Sequence, residues 1–114
     1  DFTYEKIESV KQDKKNIRVT VSVKNTSGRD GEEVVQLYAS YPDSKVERPS
    51  KQLRAFKRIP IKAGETRKVT LTVPKEELGY WNEGKQMFVV EPGTVKLLIG
   101  ASSEDIRLEG KIRL

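Results

Sequence analysis

The stretch that decides the fold runs from Gly31 to Pro74 and reads GEEVVQLYASYPDSKVERPSKQLRAFKRIPIKAGETRKVTLTVP. It begins with Val34–Ala39, which is apolar on both faces, and ends with Val69–Val73, in which apolar residues alternate with threonine. Alternation with a period of two is typical of a half-buried β-strand, and the two-faced run fits a central strand or a strand covered by another domain. The stretch therefore predicts sheet structure, interrupted by a long connection from Tyr41 to Lys51.

Strand patterns continue on both sides of this stretch. Ile17–Val23 alternates β-branched with polar residues and is the clearest strand in the chain. Val95–Ile99 is again apolar on both faces, and Ile106–Leu114 alternates except at Gly110, which we interpret as a bulge. The segment Glu91-Pro92-Gly93 predicts a type II turn and a hairpin between the strands on either side of it.

These patterns predict one all-β domain over residues 1–114. About seven or eight short strands, one helical turn at Pro74–Gly79 and no long helix favour an antiparallel β-sandwich of the immunoglobulin-like class. Leu53 and Phe56 are candidates for its core.

Two residue types are missing from this chain, and their absence excludes several kinds of active site. It has no His and no Cys, which removes the usual general base, the commonest metal ligand and disulfides. The acidic pairs Glu32-Glu33, Glu76-Glu77 and Glu104-Asp105 are sequence neighbours, which do not face each other on a strand or a helix. We therefore expect no catalytic residue, no cofactor and no metal site.

The charge pattern predicts a solvated surface. Lys and Arg number 22 against 17 Asp and Glu, a net charge of +5, but the two signs alternate along the chain. The longest aliphatic or aromatic runs, Phe88–Val90 and Leu97–Ile99, are far shorter than the roughly 18 residues of a membrane span. We expect neither a nucleic acid nor a membrane as partner.

Five elements of the Gly31–Pro74 stretch occur together in a distinctive order. They are Glu33–Tyr38, Arg48-Pro49, Leu53–Lys57, Gly64-Glu65 and Val69–Val73. With the later pair Tyr80-Trp81, they make nearly the whole chain resemble the fibronectin type III-like domain of family 3 glycoside hydrolases. The resemblance implies a fibronectin type III-like sandwich with a non-catalytic accessory role in a β-glucosidase or β-xylosidase. It places the nucleophile and the acid in domains N-terminal to this one, so no catalytic residue carries over.

The resemblance also implies an origin and partners for the chain. Phe2-Thr-Tyr4 is similar to the end of the segment that leads out of the preceding domain in such enzymes. We therefore expect Asp1 to be a boundary inside a larger multidomain hydrolase, with this domain at its C-terminal end. The implied partners are the catalytic domains of the same chain. A periplasmic or secreted location is favoured, and a cytoplasmic one is left open.

Two features are candidates for contact with another domain or with a sugar. In the Tyr41–Lys51 connection, Arg48 offers a planar donor fork and Pro49 a fixed backbone, so this loop is either a solvated connection or an interdomain contact. Tyr80 and Trp81 are successive, so one should enter the core and the other should point outward, against a neighbouring domain or a sugar ring. The alternatives to an accessory packing role are therefore a carbohydrate-binding module and a generic protein-interaction sandwich.

Overall fold

The computed structural model describes residues 1–114 as nine β-strands and one 3-10 helix. The strands are β1 (Phe2–Gln12), β2 (Asn16–Asn25), β3 (Gly31–Ser40), β4 (Gln52–Ile61), β5 (Thr66–Pro74), β6 (Tyr80–Asn82), β7 (Met87–Val89), β8 (Thr94–Ser102) and β9 (Asp105–Arg113), with the helix at Lys75–Leu78. The all-β fold class is confirmed. The count exceeds the expected seven or eight because two strands of three residues each, β6 and β7, lie between the helix and β8.

Seven long strands form the two antiparallel layers of a sandwich. One sheet has the order β1-β2-β5, the other has the order β4-β3-β8-β9, and β6 pairs with β7 as a separate hairpin. Strands β3 and β8 are the two central strands of the larger sheet. Only one face of each lies in the core of a two-layer sandwich, so the central position does not by itself account for the apolar residues on the outer face. No helix of this structure has the length and apolar character that crossing a membrane requires.

The core lies between the two sheets and follows the predicted alternation. In Ile17–Val23 the four β-branched apolar residues are fully buried, and in Val69–Val73 the three apolar residues are at most 2% exposed. The helical turn predicted after Pro74 is present as the 3-10 helix, and its last residue, Leu78, is buried. The complete cluster comprises 18 residues: Tyr4, Ile17, Val19, Val21, Val23, Val35, Leu37, Ala39, Ile59, Ile61, Val69, Leu71, Val73, Leu78, Val95, Leu97, Ile99 and Ile112.

Gly110 does not form the bulge that its interruption of β9 suggested. It lies in register opposite Leu97, and the register shifts between β8 and β9 occur elsewhere, on either side of Gly100. A Cβ at Gly110 would lie 3.1 Å from Cδ1 of Ile7 on β1. The gap in the alternation therefore marks a close approach of β1 to β9.

The predicted hairpin at Glu91-Pro92-Gly93 is also wrong. Gly93 does adopt the positive φ that a glycine accepts, at 138°. However, β7 pairs with β6, whereas β8 pairs with β3 and β9. Gly93 instead exchanges backbone hydrogen bonds with Leu114, at 2.8 and 3.3 Å. The segment therefore holds the last residue of the chain against the sandwich.

Candidate functional site

The outer face of the four-stranded sheet carries an apolar patch. On β3, Val34 and Tyr38 alternate with buried residues and therefore point away from the core. Leu53 of β4 and Leu98 of β8 lie directly opposite Tyr38. Phe56 of β4 shares this face. We call these five residues the outer patch.

A β-bulge at Arg54 places Leu53 and Phe56 on the same face. Residues three positions apart point to opposite faces of a regular strand. Here Leu53 lies opposite Tyr38 and Phe56 opposite Gln36, so the register skips Arg54. The prediction that Leu53 and Phe56 belong to the core is therefore wrong, because their exposed fractions are 49% and 61%.

The outer face of the three-stranded sheet is polar by contrast. Strand β2 presents Arg18 and Thr20 there, and β5 presents Thr70 and Thr72, which alternate with buried residues. The hydroxyl groups of Thr20 and Thr70 lie 2.8 Å apart across the two strands. Such side chains are well hydrated, so this face needs no covering partner.

Arg48 anchors the long Tyr41–Lys51 connection from the inside. Its side chain is 6% exposed, and its Nη2 donates to Oε1 of Glu91 at 2.8 Å. Its Nη1 donates to the carbonyl oxygen of Leu78 at 3.0 Å, and its guanidinium lies 3.9 Å from the centroid of the Tyr41 ring. The donor fork is therefore used within the domain and does not point outward.

Glu91 joins this connection to the segment that precedes β8. Its carboxylate accepts hydrogen bonds from the Ser44 hydroxyl at 2.6 Å and from the Lys45 amide at 3.1 Å, in addition to the bond from Arg48. These bonds, the one from Ser44 foremost, hold the pKa of Glu91 below its ordinary value. Glu91 therefore stays ionised and fixes the connection in place.

Tyr80 and Trp81 differ in exposure, as the alternation predicted, but neither belongs to the core cluster, so the expectation that one of them enters the core is wrong. Tyr80 is half-buried, with its ring centroid 5.2 Å from the guanidinium of Arg48, whereas Trp81 is 45% exposed. Pro49 is exposed as well. The structure thus leaves Pro49 and Trp81 at the surface and turns Arg48 and Tyr80 inward. Contact of any of these four residues with another domain or a sugar stays a prediction.

Trp81 has an aromatic partner on the hairpin of β6 and β7. It lies opposite Phe88, with ring centroids 5.3 Å apart and planes at 74°, an edge-to-face arrangement. Phe88 is 65% exposed and its neighbour Met87 is 52% exposed. We call the pair Trp81 and Phe88 the aromatic hairpin. It is a second exposed apolar cluster besides the outer patch.

Comparison with protein families identifies this sandwich. The sequence model of the fibronectin type III-like domain matches residues 33–103, which is more than half of the chain. The chain belongs to this family.

The fibronectin type III-like domain is similar to segments of much larger proteins. A probable beta-glucosidase L of Aspergillus fumigatus is 42% identical over 97 residues, which are 85% of this chain and 13% of that protein. A probable beta-glucosidase L of Emericella nidulans is 45% identical over 92 residues, which are 81% of this chain and 12% of that protein. The chain thus spans less than one seventh of the length of these curated relatives.

Solved structures contain the same domain. The beta-glucosidase of Kluyveromyces marxianus matches it with a TM-score of 0.94 and 33% identity, over 100% of this chain and 14% of that one. Beta-glucosidase 3B of Thermotoga neapolitana, solved in complex with alpha-D-glucose, matches with a TM-score of 0.90 and 34% identity, over 99% of this chain and 16% of that one. Both matches extend over the whole sandwich described above.

Sequence reasoning missed two surface residues of the fibronectin type III-like domain. Phe88 was noted only as part of an apolar run, although the turn-forming residues Asn82–Gln86 between two short apolar segments are a hairpin signal. For Arg54 the signal is the spacing of Leu53 and Phe56, because two large apolar residues three positions apart in a strand indicate a bulge if both lie on one face.

Proposed function

We propose that this fibronectin type III-like domain is a non-catalytic accessory domain at the C-terminal end of a family 3-like glycoside hydrolase of the β-glucosidase type. In this proposal the outer patch packs on the catalytic domains of the same chain and stabilises them. The 42% identity to a segment that makes up 13% of a probable beta-glucosidase supports membership of a longer hydrolase chain. The outer face of the four-stranded sheet is apolar and that of the three-stranded sheet is polar, which supports packing through the four-stranded sheet.

The outer patch is the observation that carries this proposal. Phe56 and Leu53 expose more than half and nearly half of their surface to water, next to the half-buried Val34, Tyr38 and Leu98. A cluster of exposed apolar side chains of this kind is typical of interaction sites. Removing the exposed parts of Leu53 and Phe56 from water would contribute about 1 kcal/mol each. A neighbouring domain of the same chain gains this energy without the entropic cost of bimolecular association.

The hydrogen bonds and ion pairs of the adjacent carboxylates Glu32 and Glu33 support a non-catalytic role for this domain. Glu33 accepts a hydrogen bond from the Tyr4 hydroxyl at 3.0 Å. Glu32 forms an exposed ion pair with Arg58 at 3.2 Å. Each carboxylate thus has its own structural partner, and no sugar cleft lies between them. We assign the hydrolytic chemistry to the other domains of the longer chain.

Paired substitutions on the two faces test this proposal. Phe56→Asp places a charge on the outer patch, and Thr72→Asp places the same charge on the polar face. In the 114-residue chain we expect either variant to change stability by less than about 0.5 kcal/mol. In the longer hydrolase chain we expect Phe56→Asp, but not Thr72→Asp, to lower the Tm by about 2–4 °C, as measured by calorimetry. Equal melting temperatures of the two variants of the longer chain would contradict the proposal.

A further inference from the structure

An open groove of about 510 Å³ lies beside the aromatic hairpin. It is lined by Glu76 and Glu77 of the 3-10 helix, Gly79, Phe88 of β7 and Arg54 at the β-bulge. None of these residues belongs to the outer patch, although Arg54 lies between two members of that patch, Leu53 and Phe56. Its volume is within the range of small-ligand sites, about 300–1,000 Å³.

Phe88 gives the groove a flat apolar wall. Its ring is 65% exposed although it stands in a paired strand. The edge-to-face contact with Trp81 limits the rotation of the Phe88 ring. Binding of a ligand to the free face of the ring therefore costs little side-chain entropy. An exposed aromatic face of this kind suits a ligand that is itself flat and apolar on one side.

Polar groups around Phe88 supply both donors and acceptors. Arg54 donates through Nη2 to the Gln52 side chain at 2.6 Å, while its Nε is shielded from bulk solvent and has no hydrogen-bond partner. The carboxylates of Glu76 and Glu77 form no ion pair and no hydrogen bond within the domain. Nε is too enclosed to reach a ligand, so the groups free to bind one are Nη1 of Arg54 and the two carboxylates.

Gly79 fixes the position of the acidic groups relative to the ring. A Cβ at Gly79 would lie 2.8 Å from the carbonyl oxygen of Val89 and 3.4 Å from that of Glu76. Only a glycine allows the 3-10 helix to approach β7 this closely. The walls of the groove are thus held together by backbone packing, which makes the site largely preformed.

We propose that this groove binds a neutral oligosaccharide. The apolar C–H face of one pyranose ring stacks on Phe88, and the hydroxyl groups at the ring edge donate to Glu76 and Glu77 and accept from Arg54. Sugar hydroxyls match this set because each can donate and accept at once. The groove has one more negative than positive side chain, which disfavours acidic sugars. This inference goes beyond the accessory packing role and uses different residues.

Titration of the 114-residue chain with cellotetraose and with xylotetraose tests the inference, followed in ¹H–¹⁵N spectra. We expect saturable shifts of the Gly79 amide and the Trp81 indole with at least one of these sugars, at a Kd of about 1 mM. Phe88→Ala should weaken binding at least about tenfold. Phe56→Ala is the matched control, because Phe56 is an equally exposed phenylalanine of the outer patch, 61% against 65%. It should leave the affinity unchanged.

Three results would overturn the inference. One is the absence of saturable shifts with both sugars, each tested up to about 10 mM. Another is a loss of affinity that is the same for Phe88→Ala and Phe56→Ala. The third is a lowered Tm of the longer chain for Phe88→Ala without any sugar binding by the 114-residue chain, which would make the groove a second interdomain contact. Dispersed spectra of both variants establish that each one is folded.

Discussion

Arg48 and Glu91 lie 43 residues apart in the chain and form an ion pair of 2.8 Å, with side chains 6% and 18% exposed. The pair fastens the long connection between β3 and β4 to the segment before β8. Charges removed from water in this way cost free energy unless each keeps its partner. The pair is therefore more sensitive to the loss of one member than an ion pair at the surface.

Replacement of Arg48 should destabilise the domain strongly. Arg48→Met leaves Glu91 partly buried without its guanidinium partner and removes the bond to the Leu78 carbonyl. We expect a loss of about 3 kcal/mol in the free energy of unfolding, as measured with urea. Arg18→Met is the control, because Arg18 pairs with Asp13 at 2.9 Å with a side chain that is 47% exposed, and it should cost at most about 1 kcal/mol. Similar losses of unfolding free energy in Arg48→Met and Arg18→Met would contradict the distinction between the buried and the exposed ion pair.

The contribution of Glu91 should depend on pH. Its pKa is lowered in the folded state, so folding favours the ionised carboxylate. The stabilisation is fully present above the unfolded-state pKa, near 4.5, and is lost as the pH falls through the lower folded-state value. We expect the Tm difference between the native chain and Glu91→Gln to be constant from neutral pH to about pH 5 and to shrink below pH 4.5. The difference isolates Glu91, because protonation of the other carboxylates affects both proteins alike. A Tm difference that stays constant down to pH 2 would argue against stabilisation by ionised Glu91.

Gly100 should not tolerate a side chain. A Cβ there would collide with the carbonyl oxygen of Asp105 and lie 2.9 Å from Cα of Ile106, at the tight turn between β8 and β9. Because these are backbone atoms, Gly100→Ala should cost about 3 kcal/mol or more, as measured by urea unfolding. Gly28→Ala is the control, since a Cβ at Gly28 meets nothing within 4 Å, and it should be neutral or slightly stabilising. Near-native stability of Gly100→Ala would show that this turn can rearrange.

Leu78 should contribute to stability far more than the short helix that carries it suggests. It is 1% exposed and belongs to the core cluster. Leu78→Ala should cost about 2–4 kcal/mol in calorimetry or urea unfolding, because it leaves a cavity at one end of the core. Leu53→Ala removes the same atoms from a side chain that is 49% exposed, and it should cost less than about 1 kcal/mol in the 114-residue chain. Equal costs would mean that the end of the core collapses around the smaller residue.

Much of the fold was predictable because it depends on local periodicity. The alternation in Ile17–Val23 identified both the strand and its buried face. The two-faced apolar runs Val34–Ala39 and Val95–Ile99 are central strands, as one of their two interpretations held. The sandwich class followed from these strands and from the absence of a long helical pattern.

The errors concern relationships between strands, which periodicity does not report. Gly110 interrupts a pattern within β9, but the reason lies in Ile7 of another strand. At Pro92-Gly93 only the positive φ of Gly93 agrees with the expected type II turn, and the partner of β7 is β6, which is chosen by the tertiary structure. The inward direction of Arg48 is a further relationship of this kind, because its partner Glu91 lies 43 residues away in the sequence.

The candidate surfaces were predicted only in part. The separation of Tyr80 from Trp81 followed from simple alternation. The outer patch did not, because Leu53 and Phe56 are apolar and an apolar residue in a strand is assigned to the core by default. The composition of a strand does not tell which of its faces is covered by a different domain.

The bulge at Arg54 makes the surface of β4 depend on strand register as well as on residue type. Loss of this one residue would leave Leu53 opposite Tyr38 and Phe56 opposite Gln36, because Arg54 is the residue without a partner in the ladder. The same residues paired without a bulge would instead place Leu53 opposite Ala39, on the core face. A deletion at this point therefore preserves both the sandwich and the exposed apolar pair, whereas a shift of register that closes the bulge removes half of that pair.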